Sequence, residues 1–525
     1  MEKRSDFEEI KTNPAMGSPI NYDQSDDRSN FNGKSSINMV DEYQGSLNCV
    51  DQIFIEEHPT NASRLKEHSQ FLTETYNQGS SSQSNLTRKT RVEEIKLYQV
   101  FLFANPKSGS QQARFFINQQ MFEHTFELGK GVQAHLLIHN ILDEQAAKSG
   151  YAQIASLQRE DDPTVRIIMV TAGGDGSLIG IVMKAQEDKK NKVDFDKLLC
   201  CPLPYGTGND LSRILKWGGS PDSQYYKKLD RLIQEICLNS EEQQINLWKV
   251  VIKYKEKGAT YIVDSKSRKY VQDHDDFKRY MINYFGMGED GRIGVAFEKN
   301  RTKYRCCNNC IYCWAGFKNF LGCCRNQTIA EQIDYMKVLD DDNQESLIDK
   351  KEDSLEEEKS MRSTEGIKLN QGGRVVFSTN QKDKDNFRLE GNPISIISTN
   401  INSMMGGRRN VWNESRNHIG LKNPYQTQKA PKKPLVQFNN QHFDDDVLEF
   451  NSFNTILQMV LTGGYRISQD RGPIQFKFKD LKKDFYAYLN VDGEYYKMRN
   501  PDTATVSLAT DCTKSGKLRL LARKV

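Results

Sequence analysis

Three short stretches hold the residue types best suited to binding a phosphate. They are Asn105-Pro106-Lys107-Ser108-Gly109, Gly173-Gly174-Asp175-Gly176-Ser177 and Gly206-Thr207-Gly208-Asn209-Asp210. Glycine has no Cβ, so its backbone can approach a bulky anion closely. Ser108, Ser177 and Thr207 add hydroxyl donors, and Lys107 adds a point charge. The helices expected after these loops begin with unpaired N–H groups, which favour anions. A fourth stretch, Asp492-Gly493-Glu494, sets two carboxylates one residue apart. A carboxylate can take the proton of a hydroxyl that attacks phosphorus. Each stretch also has a plainer reading. A single glycine turn after a strand is usually only a turn, and Asp-Gly between apolar runs is a strong hairpin signal. The Walker pattern is absent, which disfavours a P-loop NTPase. "GGDGS" does not continue into the acid spacing of a Ca2+ loop.

The elements that must hold these loops are visible in the apolar pattern. Tyr98 to Ala104 is a continuous apolar run, as in a strand buried on both faces. A helical stretch is expected over about 110–123, then a strand in "VQAHLLI" and a helix near 143–158. "TVRIIMV" and "LLCCPLP" read as further strands, with helices in "SLIGIVMKAQE" and "LSRILKWG". Alternation of strand and helix predicts an α/β nucleotide-binding domain, a parallel sheet with flanking helices, over 95–240. In open α/β sheets, ligands bind at the carboxyl ends of the strands, where all three glycine loops fall. From about residue 246 the pattern becomes strand-rich, which predicts a β-rich domain over 245–505, with the β texture reaching the C-terminus. Two polar, charged stretches interrupt it, at about 336–372 and 413–445, and read as solvated insertions. Residues 1–94 are rich in Ser, Asn, Asp and Glu and are expected to be a disordered tail, with a short helix near 62–74.

Composition narrows the classes. The chain has 525 residues and a formal net charge of +3, with no strongly basic block, so bulk charge gives no argument for nucleic acid. No secretory signal is visible, and no apolar run approaches the ~18 residues that span a bilayer. The expectation is a cytoplasmic, reducing setting, in which the 11 cysteines are thiols or metal ligands rather than disulfides.

"NPKSG", "GGDGS" and "LPYGTGNDLSRILKWGG", in this order, resemble the catalytic domain of eukaryotic diacylglycerol kinases. "INLWKVVI", "NYFGMGEDGRIGVAFEKNR", "ISTNINSMMGGRRNVWNES", "LTGGYRISQDRGPIQFKF" and "YLNVDGEYYKM" resemble that family's accessory domain. The resemblance implies transfer of the ATP γ-phosphate to the free hydroxyl of diacylglycerol, giving phosphatidic acid. It implies ATP and Mg2+ in a cleft between the domains, with a membrane surface as the source of substrate. Gly173, Gly174, Asp175 and Gly176 would form the ATP loop, and Gly206 to Asp210 would line the nucleotide and metal region. Asp492 would be the general base, and Glu494 would help hold Mg2+ through water. Other acceptors stay open, among them a sphingoid base, ceramide or monoacylglycerol, as does a catalytically silent lipid- or nucleotide-binding scaffold. The chain departs from the family pattern at Ser177, where threonine is usual, and at "GEDG" (288–291), where Glu289 is an unexpected charge.

The stretch "CCNNCIYCWAGFKNFLGCC" (306–324) has three readings. Cys310, Cys313, Cys323 and Cys324 could ligate Zn2+. Trp314, Phe317, Phe320 and Leu321, flanked by Arg305, Lys318 and Arg325, could touch a membrane over 305–325. The third reading is a helix packed on the β-rich domain with free thiols.

Overall fold

The computed structural model describes residues 94–119, 121–264, 266–273, 277–302, 311, 314, 316, 327–340, 373–383, 385–415, 419–422, 438–480 and 486–524. The expected disordered tail, the helix near 62–74, all six clustered cysteines and most of both polar insertions lie outside the described residues.

The first sheet has seven strands. In chain order they begin with β1 (Leu97–Ala104), β2 (Glu123–Gly129), β3 (Val132–Asn140), β4 (Val165–Ala172), β5 (Leu199–Leu203) and β6 (Ser240–Asn246). β1 lies between β3 and β4, and β5 follows β4, all parallel. The last six residues of β1, the last six of β4 and all five of β5 are buried, as the continuous apolar runs predict. The helices between them are α1 (Glu144–Glu160), α2 (Asp175–Glu187), α3 (Asp210–Ile214) and α4 (Leu229–Leu238). Asp143 caps α1 by accepting from the N–H groups of Gln145 and Ala146.

Two features differ from the sequence expectation. The helix expected over 110–123 is a single turn, Arg114–Ile117, and the chain then enters β2. β2 is an edge strand whose burial alternates between exposed and half-buried, so it shows no apolar run. The β texture expected to run to the C-terminus also divides. Strand Lys517–Arg523 leaves the second domain and inserts between β5 and β6, parallel to the first and antiparallel to the second. It carries Leu518, Leu520, Leu521 and Ala522 into the first core, and the Leu521 carbonyl accepts from Trp217 Nε1 at 2.6 Å.

The second domain is built on a twelve-stranded sheet. Its long strand Glu494–Leu508 pairs with Tyr486–Val491, with Ile474–Phe478 and with Trp248–Val263. A separate core of Trp248, Phe285, Phe450, Phe476 and Met498 holds it together. Helix α5 (Glu289–Asn300) packs on the strands of this sheet, and Gly291 and Gly294 permit close approach to Leu489 and the Tyr495 ring. The short helix α6 (Ile456–Leu461) follows strand Leu448–Phe453. Part of the expected 413–445 insertion is integral: Phe443 packs against the first core, and its carbonyl accepts from the Asn246 N–H.

Candidate active site

Because β1, β4 and β5 are adjacent, the loops at their carboxyl ends are adjacent too. They close on one another at backbone distance. A Cβ at Gly109, where φ is +50°, would lie 2.5 Å from the Tyr205 carbonyl oxygen. A Cβ at Gly174, where φ is +81°, would lie 2.6 Å from Gly206 Cα. Side chains stitch the loops further. Asn105 Nδ2 donates to Ser177 Oγ at 3.0 Å, Ser177 Oγ donates to the Gly173 carbonyl at 2.9 Å, and Ser108 Oγ donates to the same carbonyl. The serine in place of threonine at 177 therefore keeps a working hydroxyl. Asn209 is buried in the left-handed conformation, and its amide serves its own loop. It donates to the carbonyls of Pro204, Gly206 and Gly219 and accepts from the Gly206 N–H.

These loops form one wall of a cleft of about 650 Å3, and the second domain forms the other. Asn105, Lys107, Ser108, Gly173, Gly174, Asp175, Gly176, Ser177, Gly206, Thr207, Gly208, Asn209 and Asp210 line it, as do Asp492, Gly493 and Glu494. Gly109 stands behind this lining, where it fixes the spacing of the first and third loops. Lys184, Arg213, Arg301 and Arg408 also face the cleft, as do the acids Asp290 and Glu298, and Glu298 pairs with Arg301 at 2.9 Å.

Asp492 occupies the expected hairpin, with φ +49° at Asp492 and +83° at Gly493. Asp492 Oδ1 accepts from the N–H groups of Asn283 and Tyr284 at 2.8 and 3.0 Å, and Oδ2 accepts from the Ile282 N–H at 2.8 Å. A carboxylate offers about four lone-pair sites, so one remains on Oδ2. Burial pushes this carboxyl up to about 7, while the three backbone donors pull the other way. Asn283 bridges the two walls, because its side-chain amide donates to Asp175 Oδ2 at 2.9 Å. Asp175 is buried beside Asp210, which raises its carboxyl to about 6, and its Oδ1 has no hydrogen-bond partner. Glu494 is exposed, and its Oε2 accepts from the Tyr496 hydroxyl at 2.6 Å.

Asp210 has a further task. Its carboxylate accepts from Ser403 Oγ at 2.7 Å and from the N–H groups of Gly406 and Gly407 at 3.1 and 2.9 Å. It clasps the second-domain loop at 403–407 to the start of α3. Asp210→Ala strands one buried hydroxyl and two N–H groups. We expect a loss of about 3 kcal/mol in urea unfolding and a weakened nucleotide affinity.

Sequence reading missed Asn283, Asp290 and Asn490, which share no local motif. Asp290 is buried, burial raises its carboxyl to about 6, and it accepts from Asn490 Nδ2 at 2.7 Å. Asn490 Oδ1 in turn accepts from the Gly493 N–H at 2.9 Å, so the pair fixes the Asp492 turn. The unexpected Glu289 is buried and paired with Arg292 Nη1 at 2.8 Å. The oxygens of Asp175, Asp210 and Glu494 and the loop hydroxyls fit a hard divalent cation and its nucleotide. Among the described residues, no three His, Cys, Asp or Glu side chains form a cage for an ion. Of the aromatic stretch at 305–325, Trp314 is described and exposed, and its other named residues lie outside the described set.

An α/β domain with three interlocked glycine loops, facing a carboxylate hairpin of a β-rich partner across one cleft, has the layout of a two-domain nucleotide-dependent phosphotransferase. The chain belongs to the diacylglycerol kinase family: residues 99–246 match the family's catalytic domain and residues 280–495 its accessory domain. It is similar to probable diacylglycerol kinase 3 of Caenorhabditis elegans, 27% identical over 315 residues, covering 57% of this chain and 32% of that one. It is 26% identical over 230 residues to diacylglycerol kinase 7 of Arabidopsis thaliana, covering 38% of this chain and 44% of that one. It is 29% identical over 146 residues to human diacylglycerol kinase theta, covering 27% of this chain and 14% of that one. The chain thus spans less than half the length of these relatives.

Proposed function

We propose that the protein is a kinase that transfers the γ-phosphate of ATP to the free hydroxyl of diacylglycerol, giving phosphatidic acid. The carrying observation is that Asp492, with one free lone pair, faces the three glycine loops across the same cleft. The loops and the lysine and arginine side chains at the cleft hold the triphosphate. The acceptor hydroxyl approaches Asp492 Oδ2, which takes its proton as the hydroxyl oxygen bonds to the γ-phosphorus. The bond from that phosphorus to the β–γ bridging oxygen breaks, and ADP leaves with the electron pair. Asp210, and Glu494 through water, would hold Mg2+, which when bound would neutralise charge on the phosphates. Asn283, Asp290 and Asn490 hold the hairpin and the loops in mutual register.

The test offers labelled ATP to diacylglycerol, sphingosine, ceramide and monoacylglycerol in mixed micelles. We expect labelled phosphatidic acid as the main product, with no turnover after Mg2+ is chelated. Label on a different lipid would move the acceptor. No label on any lipid while ATP binds would leave a nucleotide-binding scaffold. Among the described residues no helix is long and apolar enough to cross a membrane, so a bilayer-borne acceptor would be met at a surface.

A further inference from the structure

The second domain carries an apolar stripe that its own core does not use. Helix α6 turns Ile456 and Met459 inward, against Ile293, Ile394 and Phe453. Leu457, Val460 and Leu461, at i, i+3 and i+4, point outward and are 53, 48 and 62% exposed. One face of a helix buried and the opposite face apolar yet open to water is unusual in a protein that works only in solution. The sequence of α6 holds no charge.

Two contacts tie the stripe to its surroundings. Arg409 Nη1 donates to the Val460 carbonyl at 2.8 Å, and Arg409 belongs to the loop that presents Met405, Gly406 and Arg408 to the cleft. On another side, a Cβ at Gly316 would meet Ile456 at 4.0 Å, two residues from the exposed Trp314. Met405 is itself exposed at the cleft mouth. Arg408 beside it is exposed and has no acidic partner among the described residues.

We propose that the outer face of α6, with Met405 and Arg408, docks the cleft mouth onto an anionic lipid surface. The inference rests on the lipid-kinase reading and adds to it the surface that brings enzyme and bilayer together. Apolar side chains without charge suit the acyl boundary, and an unpaired arginine complements anionic headgroups and the phosphate of the product. The loop bonded through Arg409 then brings the mouth to the depth where an acylglycerol hydroxyl lies.

The experiment compares the full chain with the triple variant Leu457→Ser, Val460→Ser, Leu461→Ser. All three side chains are exposed, so the fold should survive, and a matching thermal unfolding midpoint checks this. Binding is read by co-sedimentation with phosphatidylcholine–phosphatidylserine vesicles. Activity is read on long-chain diacylglycerol in those vesicles and on a water-soluble short-chain diacylglycerol. We expect vesicle binding and vesicle activity to fall at least about tenfold, with the soluble acceptor phosphorylated as before. A second variant, Leu457→Phe with Leu461→Phe, should bind vesicles at least as well as the original. Unchanged vesicle binding in the triple variant overturns the proposal, as does an equal loss on both acceptors, or a stripe that controls self-association and not vesicle binding. Should the original phosphorylate neither acceptor, the kinase reading fails, while the sedimentation comparison still decides the docking face.

Discussion

Asp492→Asn is expected to lower kcat for phosphoryl transfer by about a hundredfold to ten-thousandfold, the range for loss of a general base. ATP affinity should stay within about twofold, because the loops proposed to hold the phosphates are on the other wall. Steady-state kinetics with a separate nucleotide-binding titration would check both. Equal activity in the two proteins would remove Asp492 from the chemistry. The wild-type enzyme should also show kcat/KM rising with pH through about 7, since only the ionised carboxylate accepts a proton. The same shift has a signed effect on stability. The folded group titrates at about 7, above the ordinary 3.8. Its contribution is therefore complete below about pH 4 and is lost as pH rises through 7. Asp492→Asn should flatten that part of the unfolding free energy against pH.

Gly174→Ala is expected to abolish nucleotide binding, at least about a hundredfold in affinity. Gly174 has φ +81° and ψ −179°, a region open essentially only to glycine. The added methyl would also strike Gly206 Cα, so it forces apart two loops that define one phosphate cradle. A neighbouring change gives the contrast. Gly176 lies two residues on, in the first turn of α2, and a Cβ there meets nothing within 4 Å. Gly176→Ala should raise stability by about 0.5–1 kcal/mol, as alanine does inside a helix. Calorimetric ATP titration and urea unfolding of both variants would check this pair. Normal ATP binding by Gly174→Ala would show that the cradle does not need its present spacing.

The turns that line the cleft were the most legible part of the sequence. Glycine loops and the Asp-Gly turn are local devices, and local devices leave local signatures, such as "GGDGS" after the apolar run of β4. The parallel strands were legible for the same reason, because burial on both faces writes an unbroken apolar run. What the sequence did not reveal is non-local. Asn283 matters because it stands between Asp175 and Asp492, which are 108 and 209 residues away from it. Asn209 reads as a ligand by motif, yet its amide is spent on its own loop. β2 was invisible because an edge strand facing water needs no apolar run. The closing strand read as part of the β-rich texture, because nothing in "KLRLLAR" states which sheet it will enter.

That strand sets a constraint on biosynthesis. The first sheet seats Lys517–Arg523 between β5 and β6, but those residues leave the ribosome only after the whole second domain. Until then β5 exposes an unpaired edge in the middle of what will be the nucleotide domain, an invitation to wrong pairing. The nascent protein cannot finish its first-made domain first. The sheet that carries the glycine loops is closed only once that strand has been made.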